Sequence, residues 1–472
     1  MKTTARLPFE KVRFDLPFRT HLAVTLEAPP VEWQRTRPPV CVIPVIDVSG
    51  SMAGDKLEKV KRSVEKLVDQ LAPGDFCGVV TFTTDVTTVS APVQMVPDRK
   101  AALRAAVGKL EASASTNLSG GMLEGLRLAN SSPLPDGMLV RVILFTDGCA
   151  NAGIATTSEA LLPLLGEHLG RATLSAFGYG RDADQELLRD LSTRGKGNYA
   201  FVAGPDDALT AFARELGGLL STYAQDIVLR VRPLGGSRIT AVLSDVDADP
   251  VGHGVEIRIP DILAEETRNV VVSVELPAAP FLGAAPERAF EVEVAWKALA
   301  GGKRVVEEKR VFAAMVERVA PGLEQVRPDR DVDVIVAQAE LVRAQIEAEE
   351  LARHGRHQEA HERVLVLYQS VLQRGHAAEA RAAQQVSETL KDEAAFREST
   401  AFRSSMRKGM ARSSSVMMDA EAEATLSTMG FSRKNKAQNE MDEIFKEPKG
   451  PAKARAPGAA PGGPKRTRAR RW

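Results

Sequence analysis

The stretch "CVIPVIDVSGSMAGDKLEKVKRSVEKLV", residues 41–68, decides how the chain is read. It opens with an apolar run of strand length and then offers Asp47, Ser49 and Ser51, three oxygen-bearing side chains on alternate positions. The segment beyond them has a helical period. Leu57, Val60, Val64 and Leu67, with Leu71 just past the quoted stretch, recur at spacings of three and four and lay one apolar stripe along one face. A buried strand, a polar loop and an amphipathic helix in that order begin a βαβ pattern.

The pattern repeats from Pro39 to about Tyr223. Strands are expected at "VCVIPVID", "DFCGVVTFT", "VRVILFTDG", "ATLSAFGYG" and "NYAFVAG". Helices fall between them, at 55–71, 99–110, 120–130, 157–169, 185–192 and 205–222. Residues 39–224 therefore read as an α/β domain with a doubly wound, mostly parallel sheet. After Gln225 the period drops to two: Phe290, Val292, Val294 and Trp296 alternate with Glu291, Glu293 and Lys297. Residues 225–318 read as an antiparallel β-sandwich. "KVRFDLPF" and "THLAVTLEAP", within 1–38, alternate in the same way and are expected to complete it. From 328 to 400 the chain is helical, with room for three helices and breaks near Gly355 and Gly375. Residues 401–472 read as a flexible, basic low-complexity tail.

Composition sets the surroundings. The 472 residues can bury more than one core, and Cys41, Cys77 and Cys149 sit in or beside predicted strands as small apolar side chains. No stretch approaches the ~18 apolar residues of a membrane helix, and the first residues lack a signal-peptide core, so a cytoplasmic location is expected. Basic and acidic residues balance at 62 each, but 446–472 hold nine basic residues against Glu447 alone. That tail carries +8 and the remainder −8.

In a doubly wound sheet, ligands bind outside the carboxyl ends of the strands, where Asp47, Ser49 and Ser51 lie. A carboxylate with two hydroxyls and no nearby histidine is a poor nucleophilic set. It is a good partial shell for a hard cation. "ASTNLSGGMLEGLRLA" adds Thr116 ahead of a helix, and "VILFTDG" adds Asp147 at the end of another strand.

Asp47-x-Ser49-x-Ser51, then Thr116, then Asp147, resembles the metal-ion-dependent adhesion site (MIDAS) of von Willebrand factor type A (VWA) domains, and every position is matched. The resemblance runs from about Leu22 to Arg232. "PGDFCGVVTF", "FGYGRDADQELLRDLSTRGKGNYAFV" and "DDALTAFARELGGLL" are similar to bacterial members that carry a β-sandwich beside the type A domain. The resemblance implies a Mg²⁺ site, with Mn²⁺ or Ca²⁺ as alternatives. Ser49 and Ser51 would bind directly, Asp47 and Asp147 directly or through water, and Thr116 when the site opens. Octahedral Mg²⁺ needs a further oxygen, which in the family comes from a partner's Asp or Glu.

Other signals are weaker. Asp182 and Asp184 read as helix-capping residues before "QELLRDL". His354, His357 and His361 lack the H-E-x-x-H arrangement and read as surface histidines. "SGGMLEG" is no nucleotide loop, "DVSGS" is no nucleophile elbow, and the basic tail, Trp472 apart, lacks the aromatics of a nucleic-acid platform. "NEMDEIFKE", with Met441, Ile444 and Phe445, suggests a short partner-binding helix. With no general base, nucleophile or cofactor loop in view, the expected function is a non-enzymatic, metal-dependent protein-protein interaction module. The alternatives are an adaptor of a MoxR-type AAA+ ATPase and a component that assembles with copies of itself. No membrane is expected as partner.

Overall fold

The computed structural model describes residues 1–30, 39–113, 115–135, 137–147, 150–179, 183–202, 213, 215–280, 285–298, 306–411 and 436–445. Three strands come first: β1 (Lys2–Arg6), β2 (Lys11–Arg13) and β3 (Phe18–Glu27). Next is β4 (Val40–Asp47), buried at all eight of its residues. The α/β region continues through α1 (Asp55–Gln70), β5 (Phe76–Phe82), β6 (Val86–Gln94), α2 (Pro97–Gly108), α3 (Leu118–Ser131), β7 (Leu139–Thr146), α4 (Ser158–His168), β8 (Ala172–Tyr179), α5 (Gln185–Arg194) and β9 (Lys196–Val202).

Its sheet has the order β6-β5-β4-β7-β8-β9, parallel except for the antiparallel edge strand β6. β4 is flanked on both sides, so the near-continuous apolar run "VCVIPVI" is what a strand covered on two faces requires. On one face the stripe of α1 (Leu57, Val60, Val64, Leu67) packs with Leu103 and Val107 of α2. On the other lie Met122 and Leu126 of α3, Leu161 and Leu165 of α4 and Leu188 of α5. A Cβ at Gly125 would sit 2.5 Å from Val45 Cγ2, so glycine lets α3 press directly onto β4. Strand β6 has no counterpart among the expected strands, because it is an exposed to half-buried edge in which Thr87, Thr88 and Ser90 interrupt any regular apolar alternation.

The chain then builds β10 (Thr222–Pro233), β11 (Arg238–Val242), β12 (Asp247–Val251), β13 (Gly254–Leu263), β14 (Thr267–Leu276), β15 (Glu287–Ala298) and β16 (Val306–Val319). They form two facing sheets, β1-β3-β14-β11 and β12-β13-β10-β15-β16-β2. The early strands thus pair with late ones, Val24 opposite Val270 and Val12 opposite Arg318. Leu22, Val24, Val270, Leu229, Val292, Val294 and Trp296 share the core between the sheets, and burying several such side chains at about 1.5–3 kcal/mol each holds them together.

Three helices come next, α6 (Arg330–Arg353), α7 (His357–Gln373) and α8 (Ala377–Glu388), separated where Gly355 and Gly375 take φ of 75° and 83°. These left-handed positions end a helix at little cost in glycine. Val332, Val336 and Ala339 of α6 pack on Ala23 and Val271, the outer face of the smaller sheet. His354 is exposed, but His357 and His361 are half-buried, the latter with Nδ1 2.9 Å from the Ser387 carbonyl, so these two are bundle residues rather than surface ones.

Two corrections concern the end of the chain. The helical region does not stop at 400: after α9 (Glu393–Glu398), α10 (Thr400–Ala411) buries Phe402, Met406 and Met410 in the bundle core. Its i, i+4, i+8 stripe is set among Ser, Arg and Lys, which masks the helical period. Likewise α11 (Lys436–Phe445) does not offer Met441 outward. That side chain is fully buried in the apolar cluster containing Leu216, Leu219 and Leu220. The basic segment 446–472 lies outside the described residues. Among those described, no helix is long and apolar enough to cross a membrane.

Candidate metal centre

The carboxyl ends of β4 and β7 lie side by side, Ile46 opposite Phe145, which places Asp47 next to the Thr146–Asp147 corner. Asp47 is fully buried. Its Oδ1 accepts from the Ser49 amide at 2.8 Å and its Oδ2 from the Thr146 hydroxyl at 2.7 Å. The first contact makes the turn that brings Ser49 and Ser51 to the same side, their hydroxyl oxygens 3.1 Å apart. Burial pushes the Asp47 carboxyl above its usual range. The Ser49 and Thr146 donors pull it back in part, and the nearby Asp147 charge raises it again.

Asp147 is almost buried, and its two oxygens are treated differently. Oδ2 accepts from Lys56 Nζ at 3.0 Å. Oδ1 is buried with no hydrogen-bond partner among the described residues. A buried carboxylate oxygen without a donor is costly unless something positive meets it.

Thr116 is also buried, on the loop before α3. The loop is tied to the β4 end by the Ser113 amide, which donates to the Val48 carbonyl at 2.7 Å. Thr116 itself is clamped by the segment after β7. Its amide donates to Asn151 Oδ1 at 2.8 Å, and its carbonyl accepts from the amides of Asn151 and Ala152. Asn117 then caps α3, accepting from the Gly120 amide. All five predicted oxygen-bearing residues thus stand on three neighbouring loops at one end of the sheet.

The donor set suits a hard cation. It holds two carboxylates and three hydroxyls, with no thiol or imidazole among the five, and one buried carboxylate oxygen unpaired among the described residues. Three supporting residues carry little signal in the sequence. Thr146 adjoins Asp147 but looks like an ordinary strand residue, Asn151 carries no local signal, and Lys56 is a cation in the first turn of a helix, which is its one anomaly. Of the two capping aspartates, Asp184 accepts from the Leu187 amide at the start of α5. Asp182 lies outside the described residues.

Residues 42–214 match the von Willebrand factor type A domain family. Over those residues the α/β region matches the type A domain in sequence and in fold, a kind of domain that typically serves as a protein-interaction module. The chain is 27% identical over 229 residues to inter-alpha-trypsin inhibitor heavy chain H1 of Bos taurus, a match covering 48% of this chain and 25% of that one. The matched part is thus about a quarter of the relative's length. Among solved structures, a von Willebrand factor type A protein from Catenulispora acidiphila aligns with a TM-score of 0.60 at 21% identity, covering 81% of this chain and 89% of that one. The ArnB paralog VWA2 from Sulfolobus acidocaldarius aligns at 0.50 and 17%, over 82% and 97%. At these identities the likeness is one of fold.

Proposed function

We propose that the protein is a metal-dependent protein-binding module, with Asp47, Ser49, Ser51, Thr116 and Asp147 holding a divalent cation that a partner's Asp or Glu completes. The observation that carries this reading is the buried Asp147 Oδ1, which has no hydrogen-bond partner among the described residues and stands beside a second buried carboxylate. When bound, Mg²⁺ would supply a hard positive centre that prefers oxygen ligands. The chain's own residues do the rest. The Ser49 amide and Thr146 hydroxyl orient Asp47, the Asn151 clamp sets the height of Thr116, and the β4 and β7 ends keep the carboxylates adjacent.

A partner carboxylate fits this arrangement better than water, because it neutralises charge and links two surfaces directly. An AAA+ adaptor role and self-assembly would use the same site, with the acidic residue supplied by the ATPase or by another copy.

Calorimetric titration with Mg²⁺ of the full chain and of Asp47→Ala tests the reading. The wild type should bind one ion and the variant none, while circular dichroism shows both folded. Partner binding that survives EDTA and Asp47→Ala together would mean that the site serves the fold alone.

A further inference from the structure

Lys56 is electrostatically misplaced. It is the second residue of α1, where the positive end of the helix dipole favours anions, and its neighbours Asp55 and Glu58 obey that rule. It is nevertheless paired, its Nζ 3.0 Å from Asp147 Oδ2, with the lysine side chain 32% exposed and the aspartate 5%. The ammonium therefore reaches inward from the rim to a buried ligand residue.

We propose that Lys56 is a tethered counter-cation that weakens metal binding and strengthens carboxylate binding, so that an acidic partner and the ion favour each other at the site. This rests on the metal-binding reading above and adds the coupling. The reason lies in the charges. Asp47, Asp147 and Lys56 sum to −1; a divalent ion takes the site to +1, and one partner carboxylate brings it to neutrality. Without the lysine the same steps run −2, 0 and −1, so the site would be neutral with metal alone and repel the acid. In a partly buried site these charges are poorly screened, and the sign of the net charge decides the preference.

The position of Lys56 also explains how Asp147 is tolerated before an ion arrives. One of its oxygens is paired by the ammonium while the other waits.

Full-length wild type, Lys56→Met and Lys56→Arg are titrated calorimetrically with Mg²⁺. Acetate is then titrated into each Mn²⁺-loaded protein and followed by relaxation of its methyl protons. Lys56→Met should bind Mg²⁺ roughly tenfold more tightly, about 1.4 kcal/mol, and acetate roughly tenfold more weakly, while Lys56→Arg stays near wild type. Opposite signs in the two titrations are the signature. Metal affinity unchanged or lowered in a folded Lys56→Met overturns the role of Lys56 but leaves the metal site standing. Absence of Mg²⁺ binding in both wild type and Lys56→Met removes the metal-binding reading, and this proposal with it. Should Lys56→Met prove unfolded, Lys56→Gln takes its place under the same criteria.

Discussion

Two buried groups of charges in this chain are built on opposite principles. At the ends of β4 and β7, Asp47 and Asp147 face each other's charge, and one oxygen of Asp147 has no hydrogen-bond partner among the described residues. Where α5, α6 and α10 meet, Glu349 is almost wholly buried among Arg189, Arg403 and Arg407, and it also accepts from Gln345 at 2.8 Å. Burial pushes both Asp47 and Glu349 upward. For Glu349 the arginines more than offset it and hold its carboxyl below the usual range, whereas Asp47 stays above. The Arg403 guanidinium is itself pushed down to about 10 by burial despite Glu349. It lies 4.2 Å from the Phe396 ring centroid and donates to the carbonyls of Thr389 and Phe396. One cluster sets three cations around one carboxylate; the other sets Lys56 alone beside two. Carboxylates matched by the chain's own cations make a structural joint, and a net negative group at the end of a sheet is where a cation from outside would be drawn.

The sharpest way to break this contrast is Glu349→Ala, which leaves three arginines around an empty carboxylate position. Losing one partner of a buried charge cluster should cost about 3–5 kcal/mol, seen as a lowered denaturation midpoint, while Mg²⁺ affinity is unchanged. A loss below about 1 kcal/mol would show that the joint is decorative.

Acid should reproduce part of that effect. The folded pKa of Glu349 is depressed, so its contribution is present above the unfolded value of about 4.3 and is lost as pH falls through the lower folded value. Comparing acid melts of wild type and Glu349→Gln isolates the term, since the variant should lack it.

Asp47→Asn should behave in the opposite way to Glu349→Ala. With EDTA present its stability should be neutral to slightly raised, because a charge disfavoured by burial is removed while an acceptor oxygen remains. Mg²⁺ binding should be lost, as read by calorimetry. A strongly destabilised Asp47→Asn would mean that the two clusters are alike.

Thr116→Ala is the mildest. Thr116 contributes only its backbone amide and carbonyl to the clamp with Asn151, so the clamp survives the change and the fold should lose no more than about 1 kcal/mol. Affinity for an acidic partner should fall several-fold, as expected for a hydroxyl that engages in only one of two states. Equal losses in melting and in binding would count against that.

What can be read from the chain alone divides along the same line. The buried run of β4, the stripe of α1 and the alternation of β15 are local patterns, and the structure obeys them. The placement of the five oxygen-bearing residues is legible too, because Asp47, Ser49, Ser51 and Asp147 follow strand ends and Thr116 precedes a helix, all of them short-range features. What stays hidden depends on distant pairing. Lys56 finds Asp147 across 91 residues, and Glu349 finds Arg407 across 58. Helix α10 escapes notice because Arg403, among Ser and Lys, reads as a solvent residue until Glu349 is placed beside it. Which oxygen of Asp147 lacks a donor is likewise a property of the assembled loops, not of the pattern.

The pairing of β3 with β14 has a consequence for synthesis. Val24 meets Val270 only after about 250 further residues have been made, which at ribosomal rates of about 5–20 residues per second is roughly 12 to 50 seconds. During that interval the type A strands β4 to β9 can emerge and assemble, while Leu22, Val24 and Leu26 wait beside β1 with one strand edge open and no opposing sheet. An exposed apolar edge held for tens of seconds is an aggregation hazard. The chain most exposed to chaperone capture is therefore not the finished protein but the nascent one, caught after its type A region is complete and before its sandwich closes.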